Sequence, residues 1–295
     1  MNRPFGTRSA MPALGLALCL TAIGAPAAFA AGPPSENVIV GQPPDDNETN
    51  DRSAEEQARY AEKLAVADAI GADVEAQAAQ PAAGDLTAMM ALPPCDFGCA
   101  PTKKILETYA RQQATSYYCG PASAQVAINY SRGYFYAKKG GERTDTNWKP
   151  QSKIAEWAGT TSSSGTSGAN LEDALNRSNA ILRPTSSWIY AYASTGDLGA
   201  LHDKVVTDIH YYGMPLIIPV RPHQPDKPYH LESWPVAIAA WHWILIRGYN
   251  GLGPEDATLY YNDSAKGYYG GTGAYADTAL TLWKVNRYSS DMIIW

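Results

Sequence analysis

The sequence predicts an α+β fold in which helical segments come mostly first and strands follow, and three observations carry that expectation. Apolar residues recur at three- and four-residue steps in several segments up to residue 212. Beyond residue 213 the chain turns to β-branched and aromatic runs bounded by Gly, Pro and Asp. No dinucleotide fingerprint, P-loop or metalloprotease helix occurs anywhere, so no cofactor and no metal is implied.

Residues 1–30 have the layout of an export signal. Arg3 and Arg8 precede an apolar run from Met11 to Gly24, and Ala28-Phe29-Ala30 precedes Ala31. The run is short of the about 20 residues needed to span a bilayer, so no membrane anchor is expected. Cys19 follows Leu18 rather than a small residue, which argues against lipid attachment. The expected product is a secreted protein beginning near Ala31. Charge then divides the remainder: residues 31–94 carry twelve acidic and three basic residues, whereas 95–295 carry 17 acidic and 18 basic, all eight Trp and eighteen of the 19 Tyr. The near-neutral, aromatic-rich portion gives no electrostatic case for a nucleic-acid partner.

Residues 31–52 are rich in Pro, Asn, Asp and Glu and read as disordered, because they cannot bury enough apolar surface to offset ordering entropy. Ser53 with Glu56 forms a capping box, and Tyr60, Leu64, Ala67, Ile70 and Val74 make one apolar stripe, so a helix is expected over 53–79, with Gly71 a place for it to stop or fray. Pro81, Gly84, Pro93 and Pro94 mark a linker. The boundaries are thus a signal at 1–30, an acidic segment at 31–94 and a catalytic domain at 95–295. The acidic segment is either a pro-segment bound in cis or a solvated spacer, and composition fits both.

Beyond the signal lie Cys95, Cys99 and Cys119, an odd number. Cys95 and Cys99 share the short loop Cys95-Asp96-Phe97-Gly98-Cys99 and are the natural disulfide pair, which leaves Cys119 as the free thiol; a disulfide from Cys119 to a linker cysteine is the competing arrangement. A zinc site lacks its second pair of ligands.

Around Cys119 the chain reads QQATSYYCGPASAQVAIN, residues 112–129. Pro121 suits a first helical turn, and good or tolerable helix formers continue to near Gly133, so Cys119 sits at a helix N-terminus, where the helix dipole and free N–H groups favour an ionised sulfur. Gln113 can reach back so that its side-chain amide joins the Cys119 backbone N–H as a donor pair for a developing oxyanion.

Gln113 with Tyr118-Cys119-Gly120-Pro121-Ala122 resembles the signature of a branch of the papain superfamily: the double-glycine leader peptidases of bacteriocin exporters, cysteine peptidase family thirty-nine, and their stand-alone relatives. The resemblance spans about residues 103 to 290 and implies a papain-like fold with a helical half carrying Cys and an antiparallel sheet carrying His and Asp. It implies Cys119 as nucleophile and Gln113 in oxyanion stabilisation. No transporter or membrane domain accompanies it, so cleavage after double glycine is not carried over.

Downstream, helices are expected near Gln151 to Trp157 and Leu171 to Asn176, the second after a Gly/Ser/Thr-rich loop at 159–168. Ser187 to Ala193 alternates aromatic and small residues as a strand does. Asp197 to Tyr212 is helical, with Leu198, Leu201, Val205, Ile209 and Tyr212 on one face and a stop at Gly213, which makes His202 and His210 surface or packing residues. Met214 to Val220 reads as a buried strand, and His223 and His230 lie in the Pro-rich loop after it. His242 opens the run His242-Trp243-Ile244-Leu245-Ile246-Arg247-Gly248-Tyr249, a core strand that would hold an imidazole rigidly, and the resembled family also places its His at such a strand. After a hairpin at 251–256, a strand from Ala257 to Asn262 ends at Asp263, whose carboxylate can accept the Nδ1–H of His242. Asn262 is adjacent, and the resemblance favours Asp263. Trp234, Trp241, Trp243, Tyr268, Tyr269 and Tyr275 are candidates for a groove or for the core, and Gly270, Gly271 and Gly273 suggest a mobile loop beside them.

The resulting expectation is a thiol hydrolase that cleaves peptide bonds through a Cys119 acyl-enzyme, with His242 as general base and acid and a peptide or protein as its partner. The same apparatus would serve a cell-wall amidase or a transglutaminase-like acyl transferase. A secreted binding module on an inactive scaffold is the non-enzymatic alternative.

Overall fold

The computed structural model describes residues 52–78, 98–131, 149–182, 188–265 and 271–295, all within the unit 36–295. The export signal, the acidic stretch before residue 52, the linker with Cys95, and Tyr268, Tyr269 and Gly270 lie outside them. No helix among the described residues is long and apolar enough to cross a membrane.

Strand β4 (His242–Asn250) is the centre of the fold. Antiparallel to it run β3 (Leu216–Val220), from Leu216↔Ile246 to Val220↔His242, and β5 (Thr258–Asp263), from Leu245↔Asn262 to Asn250↔Thr258. Strand β1 (Lys103–Ile105) joins at 248–250, β6 (Gly273–Thr278) pairs with β5, and β7 (Met292–Ile294) links β3 to β2 (Tyr192–Ser194), giving a seven-stranded sheet among the described residues.

Continuous apolar sequence in β4 follows from burial on both faces. Ile244 and Ile246 share a core with Leu216, Ile218 and Val220, with Leu201 and Val205 of α5 (Leu198–Val206) and with Leu282 and Val285 of α6 (Ala279–Arg287). Trp243 and Leu245 alternate onto the other face. There they meet Ile217, Ile294, Ala124 to Ile128 of α2 (Cys119–Ser131), Ile154 of α3 (Gln151–Trp157), and Leu171 and Leu175 of α4 (Gly168–Leu182). Helices therefore cover the sheet on both sides. Buried Asn286 ties α6 into it, donating to the carbonyls of Pro219 and Met292 and accepting from the Thr195 hydroxyl.

Several elements depart from the sequence expectation. Helix α1 (Ala54–Ala78) does not stop at Ile70 but runs through Gly71. A Cβ there would lie 2.9 Å from Asp203 Oδ2, so Gly71 marks a close approach between α1 and α5. Along the predicted stripe, Ala67, Ile70 and Val74 are buried, but Leu64 is exposed and its neighbour Lys63 is buried in its place. The capping box forms, with Ser53 Oγ accepting from Glu56 N and Glu56 Oε2 accepting from Ser53 N. The helix expected over 197–212 is α-helical only to Val206 and then winds as a π-helix over Thr207–Tyr212; Gly213 closes it at φ 65°, its N–H reaching the Asp208 carbonyl. Extended pairing near Ser187–Ala193 is confined to β2. Gly273 is not in a loop but begins β6. Short β1, β7 and helix α6 carried no sequence signal strong enough to separate them from connecting loops.

Gly248 illustrates why β4 tolerates no side chain at one position. A Cβ there would sit 2.7 Å from the Lys104 carbonyl oxygen and 2.8 Å from Ile105 Cα, beside the irregularity in pairing between Ile246 and Gly248. Gly248→Ala should therefore displace β1 and lower stability by about 1–3 kcal/mol, read as a drop in thermal midpoint. An unchanged midpoint would contradict that packing.

Candidate active site

Cys119 begins α2, with the Tyr118 carbonyl accepting from Ala122 N at 2.8 Å. Pro121 occupies the first turn, where its missing N–H removes a donor that has no partner within the helix. Gly120 is required by its neighbour: a Cβ would lie 2.9 Å from Thr166 Oγ1. Thr166 is fixed in turn by the Thr160 hydroxyl at 2.8 Å and by the Trp243 indole N–H on its carbonyl at 3.2 Å. Buried Ser123, one turn into α2, donates to the carbonyl of Trp243 at 3.1 Å. The helix is thus bolted to the residue next to His242. Cys119 itself is a free, partly exposed thiol, and Cys99 is disulfide-bonded to a cysteine outside the described residues.

His242 enters β4 with its side chain buried, and Nε2 lies 2.8 Å from Asp263 Oδ1. Which ring nitrogen meets the carboxylate corrects the sequence expectation: it is Nε2, not Nδ1. Nδ1 is the ring nitrogen that the carboxylate leaves open, and Cys119 is near enough to favour the His242 cation. Asp263, fully buried at the end of β5, has both oxygens engaged twice. Oδ1 also accepts from Ala265 N at 2.7 Å, and Oδ2 accepts from Ser233 Oγ at 2.7 Å and from the Trp234 indole N–H at 2.9 Å. Asn262, the neighbouring alternative, points elsewhere and donates to the Thr108 hydroxyl.

Electrostatics follow from this packing. Burial alone works against the His242 cation, but Asp263, together with the hydrogen bond and charge of Cys119, outweighs it and raises the imidazole from 6.5 to about 10. Burial likewise works against the Asp263 carboxylate; the His242 charge and the donors from His242, Ser233 and Ala265 outweigh it, and the group lies below its usual range. On the histidine side, the pair's contribution to stability is complete below pH 6.5 and lost as pH rises through about 10. On the carboxylate side, it is present above pH 3.8 and lost as pH falls through the depressed value.

Gln113 is buried, and its backbone N–H reaches the Ser264 carbonyl at 2.9 Å, next to Asp263. Its side-chain amide donates to the Thr115 carbonyl at 2.9 Å, which leaves the second amide N–H uncommitted to that bond. Gln151 holds the strand of chain on either side, donating to the Gln112 carbonyl at 2.9 Å and accepting from Ala114 N at 2.7 Å.

Three supporting residues escaped sequence reasoning. In the sequence Gln151 marks only a helix start. Ser233 carried no signal, and Trp234 stood among many aromatics, although its ring also packs on His242 at 5.2 Å between centroids. Of the other histidines, His202 is buried and bonds the Gly251 carbonyl, His210 bonds the Gly98 carbonyl, and His223 stacks on His230 at 4.3 Å and is hydrogen-bonded to the Trp234 carbonyl at 2.7 Å. Among the described residues no group of three His, Cys, Asp or Glu could hold a metal ion.

Comparison with known proteins finds likenesses to a family and to solved structures. The family described as "Peptidase_C39 like family" matches residues 105–288. A solved structure titled "Recombinant stem bromelain precursor" is similar at 10% identity and a TM-score of 0.41, over 69% of this chain and 72% of that one. No curated protein matches the chain.

The contact with Asp263 can be tested directly. In Asp263→Asn the charge that raises His242 is gone, so the imidazole should titrate at clearly lower pH by NMR, and a titration unchanged or moved upward would contradict the geometry.

Proposed function

The chain belongs to the Peptidase_C39-like family and is a cysteine peptidase-type hydrolase; from that premise we propose that it is a secreted enzyme opening peptide bonds through an acyl-enzyme on Cys119. The observation that carries the proposal is the convergence of a free thiol at the start of α2 with a buried His242 that is hydrogen-bonded to Asp263 and whose charge Cys119 favours. Partial exposure of Cys119 favours this over a binding module on a dead scaffold.

The steps follow from the placement of donors and acceptors. With the proton already held by His242, the Cys119 sulfur attacks the carbonyl carbon of the scissile amide. Negative charge moves to the carbonyl oxygen, for which we assign the Cys119 backbone N–H and the second N–H of the Gln113 amide as donors. As the intermediate collapses, His242 returns the proton to the leaving nitrogen, the C–N bond breaks and a thioester remains. Water then attacks the thioester, with His242 again taking and returning a proton, and the acid departs. Asp263 stays a carboxylate throughout, orienting the ring through Nε2 and stabilising its cation. Export rests on the layout of residues 1–30, and a disulfide at Cys99 agrees with an oxidising compartment.

Alkylation by a peptide-based thiol-reactive probe, followed by mass mapping, tests the assignment. Cys119 should be the residue modified, and His242→Ala should slow its labelling at neutral pH. Gln113→Ala should lower kcat on the order of 100-fold, the usual effect of losing one oxyanion donor, with little change in KM. Selective labelling elsewhere, or labelling indifferent to His242, would sink the proposal.

A further inference from the structure

Helix α1 comes from the acidic segment, yet it does not lie on the surface as a spacer would. Val66, Ala67, Ile70 and Val74 belong to the same core as Ile244 and Ile246 of β4. More telling is Lys63, which is wholly buried. Its ammonium sits 3.0 Å and 3.1 Å from the two oxygens of Asp208, donates to the Ile189 carbonyl at 3.2 Å, and faces the rings of Trp188 at 4.8 Å, Trp295 at 4.7 Å and Tyr212 at 5.6 Å. A second anchor lies one end away: Arg52 pairs with buried Glu172 of α4 at 3.0 Å, donates to the Tyr192 carbonyl at 2.8 Å and stacks on Tyr60.

Every wall of the Lys63 site belongs to residues 188–295. One carboxylate, one carbonyl and three aromatic faces form a receptor for a single ammonium group. The π-helical turn builds half of it, carrying both Asp208 and Tyr212. Its position relative to the thiol follows from the strand register. His242 pairs with Val220 at one end of β3, and Leu216 pairs with Ile246 at the other, about 13 Å along the strand. The π-turn precedes that far end, with Met214 N donating to the Asp208 carbonyl.

We propose that α1 is a permanently seated part of the catalytic body, held by an acidic, aromatic-lined socket for Lys63, and not a segment that blocks the cleft. A helix seated this way needs no covalent link to stay. It closes the core over Trp295 and remains in place in the active enzyme after any cut between it and residue 98.

The test uses the full chain carrying a site-specific protease sequence inserted between residues 79 and 97. After native cleavage, the helix fragment should co-elute with the catalytic body in size-exclusion chromatography, and the rate at which a thiol probe labels Cys119 should stay within about twofold of the uncut protein. Lys63→Ala in the same background leaves Asp208 buried without its partner, and the cut fragment should then dissociate on the order of 100-fold more readily on dilution. Should that variant fold poorly, Arg52→Ala, which removes only the second anchor, should weaken retention more modestly. Spontaneous loss of the unaltered fragment, retention indifferent to both substitutions, or a several-fold rise in Cys119 labelling on cleavage would each overturn the proposal. Co-elution is independent of peptide hydrolysis, so failure here is distinct from failure of the catalytic reading.

Discussion

A carboxylate buried without solvent must have its lone pairs filled, and the arrangement around Asp263 follows from that requirement. His242, Ala265, Ser233 and Trp234 fill them. The donors come from three parts of the chain, so satisfying one side chain fixes the start of β4, the turn after β5 and the loop between β3 and β4 at once. Ser233 extends the set outward. Its backbone N–H reaches the Tyr261 hydroxyl at 3.4 Å, and that hydroxyl donates to Asp277 at 2.9 Å. The long loop before His242 is thereby held by polar contacts at its middle, beside buried Leu231 and Trp234.

Asp263 alone would orient an imidazole with nothing to act on. The thiol is brought to it by a second set of contacts: Ser123 to the Trp243 carbonyl, the Trp243 indole to the Thr166 carbonyl, and Gln113 N to the Ser264 carbonyl. Each contact falls on Trp243 or Ser264, the residues that follow His242 and Asp263 in sequence. Small errors in their geometry are therefore transmitted directly to the reacting atoms, which is how a site of this kind gains its precision.

Much of this was legible in the residues themselves. Cys119 announced a helix start through Pro121, and the run from His242 to Tyr249 announced a core strand because both of its faces are buried. Asp263 was legible only as the end of the next strand. The ring nitrogen it meets was not, since that depends on how β4 and β5 are registered. Lys63 was illegible for a more general reason. Periodicity assigns a helix face by hydropathy, so it placed Leu64 inside and Lys63 outside, whereas a buried carboxylate and three rings reverse the preference at that one position. Gln151 and Ser233 act on backbone or carboxyl groups supplied by distant segments, and nothing local marks them.

The two buried ion pairs make an instructive contrast. At His242 and Asp263 the partners prevail over burial, so the histidine is raised and the aspartate lowered. At Lys63 and Asp208 burial prevails: the lysine is lowered to about 8 and the aspartate raised to about 6. The difference lies in the donors. Asp263 takes four hydrogen bonds at 2.7 to 2.9 Å, whereas the Asp208 carboxylate has Lys63 as its hydrogen-bond donor. A pair whose charges are both disfavoured by their surroundings contributes little to stability, and an apolar pair of the same volume could serve as well. What such a pair does supply is register, because a buried ammonium tolerates one placement of its helix and penalises the rest. The catalytic pair is built to keep its charges, and the socket pair is built to choose a position.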